Sequence, residues 1–280
     1  MTIAEQHVLD FYTRHPISAE HIRMRVREKR GTLDELKPEE LYPFDQDHYG
    51  GLDANIALAK AAGMTPGDRV ADFCAGLGGP ARWWARQYGV SVTGVELNPA
   101  RVRGATELTR LVDLDRTVTV VEGNVLSPPL EDGAYDVVVS QEAFLHIPDK
   151  GEALRQAFRV LRPGGRLAFT DWVMHVPLSA DEAEDMWNGI AAQTLQTVEG
   201  YRALLGEAGF TGIAFEDLTG EWGRVLAERL EMFRALRAET LKAGTPSGED
   251  SFYDSYVRLV GHVQARKLGG ARITAMKPTE

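Results

Sequence analysis

The chain is poor in cysteine, in long apolar runs and in positive charge. Cys74 is the single cysteine among 280 residues, so no intrachain disulfide and no cysteine-rich metal site is available to it. That usage fits a reducing compartment, and the expected location is the cytoplasm. No run of about 18 apolar residues occurs, which argues against a membrane-spanning helix. The opening stretch MTIAEQHVLDFYTRHP has neither a basic leader nor an apolar core, and no secretory signal is expected there. Lysine and arginine number 31 against 41 acidic residues, a net charge of -10, and the pI is near 5.3. An acidic surface without a basic stripe speaks against non-specific nucleic-acid binding, which needs clustered cations. What remains is ordinary for a globular protein: 44% hydrophobic and 26% charged residues, in a chain long enough to bury a substantial core.

The organisation changes along the chain. Residues 1 to about 65 read as helices with an aromatic, glycine-rich loop, YPFDQDHYGG, between them. From Arg69 short valine-rich runs alternate with helical segments: RVADFC, VSVTGVE, TVTVVEG, AYDVVVSQ and GGRLAFTDWV. Continuous apolar runs separated by helices predict a parallel sheet covered on both faces. TGIAFEDLT and ARITAMK are two further strands. The helices between them, about 221–269, with a loop at GTPSGED, read as an insertion. The expected division is a helical cap over 1–65 and a main domain over 66–280, with cap and insertion as candidate covers for a site.

VADFCAGLGGPARWWA runs from strand through a glycine turn into a helix. Glycines 76, 78 and 79 allow positive φ and close approach of a ligand. Pro80 suits the first helical turn, and the helix start offers free N–H groups. Glu96 ends the next strand about 20 residues after Gly76, where a carboxylate can accept from both hydroxyls of a ribose. This spacing alone also satisfies the dinucleotide pattern G-x-G-x-x-G/A. Asp72 separates the two readings. A carboxylate at the strand tip suits the ammonium of S-adenosylmethionine and would repel a pyrophosphate.

VADFCAGLGG, VTGVELNP, VEGNVLSPPLEDGAYDVVVSQEAFLHIPD and AFRVLRPGGRLAFTDWV stand in the order of the motifs of the class I S-adenosylmethionine-dependent methyltransferases. The stretch from Val70 to Val173 resembles that family, and GFTGIAFEDL and GGARITAMK extend the likeness to its sixth and antiparallel seventh strands. The resemblance implies an α/β, Rossmann-like seven-stranded sheet with N-terminal helices and a helical insertion between the last two strands. It also implies S-adenosyl-L-methionine as cofactor. Asp72, Gly76 and Gly78 would hold its methionine part and Glu96 its ribose. Leu97, Asn124 and Val125 would surround the adenine, with Gln141 facing the cofactor. Many relatives carry Asp where this chain has Asn124; an amide still donates to and accepts from adenine edges.

SQEAFLHIPDK follows the fourth strand, where ligands of open α/β sheets bind. Glu142 and His146 lie one helical turn apart and share a face if the segment turns. The stretch resembles the site of the phosphoethanolamine and sarcosine/dimethylglycine N-methyltransferases. There an acid and a histidine at this spacing meet a tyrosine from the N-terminal region. Tyr49 is the expected tyrosine and Tyr12 its rival, with Glu142 orienting the acceptor and His146 assisting proton removal. Trp172 is expected to pack rather than to line the acceptor pocket. No arginine or lysine cluster forms a phosphate clamp.

The expected function is methyl transfer to a small-molecule acceptor, most simply an amine, with carbon or oxygen methylation of a natural product or isoprenoid as the alternative. A nicotinamide-dependent dehydrogenase and a non-catalytic binding protein are the other classes. The expected partners are the acceptor and, for self-association, a second copy in a homodimer, with no metal, nucleic acid or membrane.

Overall fold

The computed structural model describes residues 2–14, 17–242 and 250–280. Helices α1 (Ile3–Arg14), α2 (Ala19–Arg30) and α3 (Gly51–Ala61) precede the first strand. Then β1 (Arg69–Phe73), α4 (Gly79–Tyr88), β2 (Ser91–Glu96), α5 (Pro99–Arg110), β3 (Val118–Glu122) and β4 (Tyr135–Gln141) follow in alternation. The chain continues through α6 (Lys150–Val160), β5 (Leu161–Met174), α7 (Ala180–Ile190), α8 (Val198–Glu207) and β6 (Thr211–Asp217). It ends with α9 (Thr219–Lys242), α10 (Asp250–Gln264) and β7 (Leu268–Met276). The loop expected at GTPSGED lies outside the described residues up to Asp250.

The seven strands form one sheet in the order β3-β2-β1-β4-β5-β7-β6. The first five are parallel, and β7 runs antiparallel between β5 and β6. This is the class I methyltransferase sheet. Strand order reverses beside β1, which pairs with β2 on one side and β4 on the other. Crossovers on either side of β1 therefore leave to opposite faces and open a crevice at the carboxyl ends of β1 and β4.

Alternation along the strands feeds two cores. Ala71, Phe73, Val138 and Phe169 face the α6 and α8 side, while Val70, Val137, Val139 and Ala168 face α3 and α4 with Leu58 and Trp84. Both faces are buried, which is why these strands carry apolar residues on both faces. Local chemistry sets the helix starts. Asn98 accepts from the Ala100 and Arg101 N–H groups ahead of Pro99, and Asp149 accepts from Glu152, as N-caps do.

The Arg-Pro-Gly-Gly segment, whose proline and glycines favour a turn, lies inside β5. Tyr135 pairs with Leu161 and Val137 with Arg166, so the intervening residues form a register shift, and Gly164 takes φ 75° there. A third core joins Trp172 of β5 and Met186 of α7 to Trp222 and Leu226 of α9 and Leu259 and Val260 of α10. Ile22 and Val26 of α2 pack with Leu108 of α5.

Candidate functional site

The β1 tip turns through positive φ at Cys74 (63°), Gly76 (56°) and Gly78 (72°). The three glycines differ in why they are glycine. A Cβ at Gly76 would come 3.3 Å from Arg101 Nη2, and one at Gly78 would face Arg82 and Ala105. At Gly79 a Cβ would sit 1.9 Å from the Asp45 carbonyl oxygen. The N-terminal loop thus rests directly on the start of α4. Arg82 fixes that contact, donating to Asp45 at 2.9 Å and to the Leu77 carbonyl at 2.8 Å; neither Arg82 nor Asp45 exposes its side chain.

A cavity enclosing about 1130 Å³ of empty space, continuous with solvent, opens over this turn. Asp72, Gly76, Glu96, Leu97, Asn124, Val125 and Gln141 all line it, as do Glu142 and His146. Gly78 and Tyr49 do not. Gly78 serves as the N-terminal flank of α4 instead.

The residues expected to hold the cofactor fit it on three observations. Asp72 is 4% exposed, and its carboxyl, which makes no hydrogen bond among the described residues, is pushed up to about 8, first by burial and then by the neighbouring Glu96. Such a group gains from a cation placed against it. Glu96 is braced at both oxygens, accepting from the Gly76 N–H at 2.9 Å and the Asn98 N–H at 2.8 Å. Each oxygen keeps a lone pair for a further donor. Burial raises its pKa, and Arg101 opposes the rise. Gln141 Oε1 is buried without a hydrogen-bond partner on the cavity wall.

Across the cavity, α1 lies over the site. Asn124 donates through Nδ2 to Glu5 at 2.8 Å and accepts at Oδ1 from the Leu126 N–H at 2.9 Å. His7 stacks on Trp187 of α7 with ring centroids 4.1 Å apart. The Tyr12 hydroxyl stands 2.9 Å from His146 Nε2, while His146 Nδ1 meets the Ala191 carbonyl at 3.0 Å. A carbonyl only accepts, so Nδ1 carries the proton and Nε2 accepts from Tyr12. Burial pulls His146 down to about 4. Arg101 places its guanidinium 4.5 Å from the Tyr12 ring centre and pairs with Asp47 at 2.5 Å.

Glu142 sits at φ 53°, a conformation costing a non-glycine residue about 1–3 kcal/mol and met mostly at functional sites. It accepts from the Tyr49 N–H at 2.8 Å. Burial pushes its carboxyl up to about 8, against the Tyr49 N–H and the Arg229 charge.

The tyrosine against His146 is therefore Tyr12. Tyr49 reaches Glu142 through its backbone, and its ring packs 5.9 Å from Trp172 and 5.3 Å from Trp222. Trp172 is packing. Sequence reasoning passed over Glu5, Asp47 and Arg101, which line the cavity. The alternate acids Asp45 and Asp47 in the glycine-rich loop were a local signal. Nothing local marks Arg101.

A family model described as "Methyltransferase domain" matches residues 71–169. The sarcosine/dimethylglycine N-methyltransferase of Halorhodospira halochloris is 36% identical over 174 residues, covering 59% of this chain and 61% of the relative. The chain thus spans about three fifths of that protein. The crystal structure of Haemonchus contortus phosphoethanolamine N-methyltransferase 2 with S-adenosyl-L-methionine superposes with a TM-score of 0.74 at 25% identity, over 96% of this chain and 59% of that one. The 27-O-demethylrifamycin SV methyltransferase of Amycolatopsis mediterranei is 31% identical over 258 residues, 88% of this chain and 93% of the relative. With a likeness that runs nearly end to end in both proteins, on a sheet of this order, the chain belongs to the methyltransferase family in its class I form.

Proposed function

We propose that this protein transfers a methyl group from S-adenosylmethionine to a small-molecule acceptor, and that the acceptor atom is an amine nitrogen. The observation that carries the reading is Asp72, a buried carboxyl with no hydrogen bond among the described residues, beside a braced Glu96 on one cavity. Asp72 binds the ammonium of the cofactor, and Glu96 accepts from its ribose hydroxyls. Asn124 and Gln141 supply amide groups for the polar edges of the remainder. Bound cofactor supplies an electrophilic methyl group.

The protein's own contribution is position and proton management. Holding reactants in line lowers a barrier by roughly 7–11 kcal/mol. An alkylammonium must lose a proton before its nitrogen attacks. Glu142, raised to about 8, matches that task near neutral pH. His146, lowered to about 4, is a weak base there, and its role is to hold the Tyr12 hydroxyl at Nε2. α1 excludes water from above.

A second reading, O-methylation of a hydroxyl on a natural product, is favoured by the rifamycin relative, which matches 88% of this chain. The test is direct. Purified protein is incubated with methyl-labelled S-adenosylmethionine, a panel of amines and hydroxylated natural products, and a cell extract; the labelled product is then identified by mass. A labelled amine is expected. A labelled hydroxyl selects the second reading. Cofactor binding with no transfer to any acceptor defeats both and leaves a binding protein.

A further inference from the structure

We propose that Lys150 is a positioning residue for His146, acting by tying together the two backbone segments that hold its imidazole. The proposal rests on the methyl-transfer reading above only for its kinetic readout.

Lys150 breaks two local rules. It is the first residue of α6, where the helix dipole disfavours a cation, and it is 3% exposed, where an ammonium loses its hydration. The ammonium recovers oxygen contacts on both sides of the His146 turn. It donates to the carbonyls of Phe144 at 2.7 Å and Ile147 at 3.2 Å. It also reaches the carbonyl of Thr194 at 2.7 Å and its Oγ1 at 2.6 Å. Thr194 Oγ1 in turn donates to the Ile147 carbonyl at 3.1 Å.

The two segments are those that set the imidazole. His146 sits between Phe144 and Ile147, and the carbonyl that fixes its tautomer belongs to Ala191, on the segment that leads to Thr194. Gln193 adds a backbone hydrogen bond to the Leu145 carbonyl at 2.8 Å. From the sheet side, Asp171 accepts the Leu145 N–H at 2.9 Å and the Tyr201 hydroxyl at 2.5 Å. Asp171 and Lys150 stabilise each other's charged forms. Lys150 makes no hydrogen bond to the imidazole among the described residues; its charge adds to the forces that keep His146 neutral, and its hydrogen bonds act on the ring through the backbone at 144–147 and 191–194.

The test separates positioning from bulk stability. Lys150→Met keeps the stem and removes the charge, leaving the buried Asp171 with its hydrogen bonds from Leu145 and Tyr201 but without the nearby opposite charge. Lys150→Met with Asp171→Asn removes both charges, while the Asn oxygen still accepts from Leu145. The expected outcome is that the single variant lowers the melting midpoint and the double variant restores most of it. In both, kcat falls tenfold or more, KM for the cofactor stays within about twofold, and nitrogen NMR of the His146 ring shows a mixture of tautomers. Recovery of kcat with the melting midpoint in the double variant, or a single Nδ1–H tautomer in both, would overturn the proposal. If Lys150→Met does not fold, Thr194→Val removes one oxygen of the clamp and is read the same way, with a severalfold loss of kcat expected and an unchanged kcat against it. If the wild-type protein transfers no methyl group, the functional reading fails, and the tautomer comparison still decides the role of Lys150.

Discussion

Asp72 and Glu96 are both buried acids at strand tips, yet they stand in opposite conditions. Glu96 already holds two backbone N–H groups, whereas Asp72 holds none among the described residues, so Asp72 has the more to gain from a ligand. Hydrogen bonds to charged groups contribute roughly 1.5–3 kcal/mol, and about 1.4 kcal/mol is tenfold in affinity. Asp72→Asn is therefore expected to weaken S-adenosylmethionine binding by about ten- to hundredfold in calorimetry. Since the carboxyl titrates near 8 when empty, wild-type affinity should rise as pH climbs towards 8, and the variant should lose that slope. An unchanged affinity in the variant removes Asp72 from the site. Single positions were legible in the sequence where topology alone fixes them. Asp72, Glu96 and Gln141 lie at the carboxyl ends of the neighbouring parallel strands β1, β2 and β4, so knowing the strands brings them together. The tyrosine was another matter: Tyr12 and Tyr49 both precede the sheet, and only the path of α1 across the cavity sets Tyr12 against His146. Nor does the spacing of the glycines tell that Gly79, rather than Gly78, meets the Asp45 backbone.

Among the helices, α1 is attached least by core and most by the site. Of its described side chains only Val8 is buried. Its other anchors are Glu5 on Asn124, His7 on Trp187 and Tyr12 on His146. An element with so few buried apolar contacts belongs to the low-stability end of local opening. Its amides are expected to exchange with deuterium much faster than those of β1 and β4 in the free protein. S-adenosylhomocysteine should slow α1 at least severalfold and leave the strands unchanged, since a ligand in the cavity gives α1 a floor. Equal protection of α1 and the strands without ligand would mean a fixed roof. The elements themselves were readable, because apolar period and caps are local signals: Ser18, Asn98, Asp149 and Thr197 all cap helices where the pattern begins. The exception is β5, where Pro163 and two glycines spell a turn and the strand absorbs them as a register shift. Pairing with β4 and β7 outweighs the local preference there. The docking of α1 on α7 through His7 and Trp187 has no local signature at all.

Taken together, the buried ionisable groups make the molecule's stability depend on pH in a direction that reports on ligand. The seven-stranded sheet with its antiparallel last strand followed from the resemblance, but this charge balance did not, because burial is a property of the assembled fold. Asp72 and Glu142 have folded pKa values near 8, against about 4 for unfolded carboxyls. Between those limits the folded state binds more protons than the unfolded one, so their contribution is fully present below about 4 and is lost as pH rises through 8. Asp171, at about 6, acts the same way over a narrower range. His146 runs oppositely: lowered to about 4 from an ordinary value near 6.5, it makes stability rise with pH between those values. Lys150, lowered to about 8, does so only above 8. From about pH 6.5 to 8 the carboxyls Asp72 and Glu142 act with neither opponent. The melting midpoint of the ligand-free protein is expected to fall across that window. Saturating S-adenosylmethionine should reduce the fall, because a cation against Asp72 keeps it ionised in the folded state, and Asp72→Asn should reduce it without ligand. A midpoint that rises from pH 6.5 to 8 in the free protein would mean that Asp72 and Glu142 are already charged throughout that window, so that neither carboxyl titrates near neutral pH and the pH-dependence of cofactor affinity expected from Asp72 falls with it.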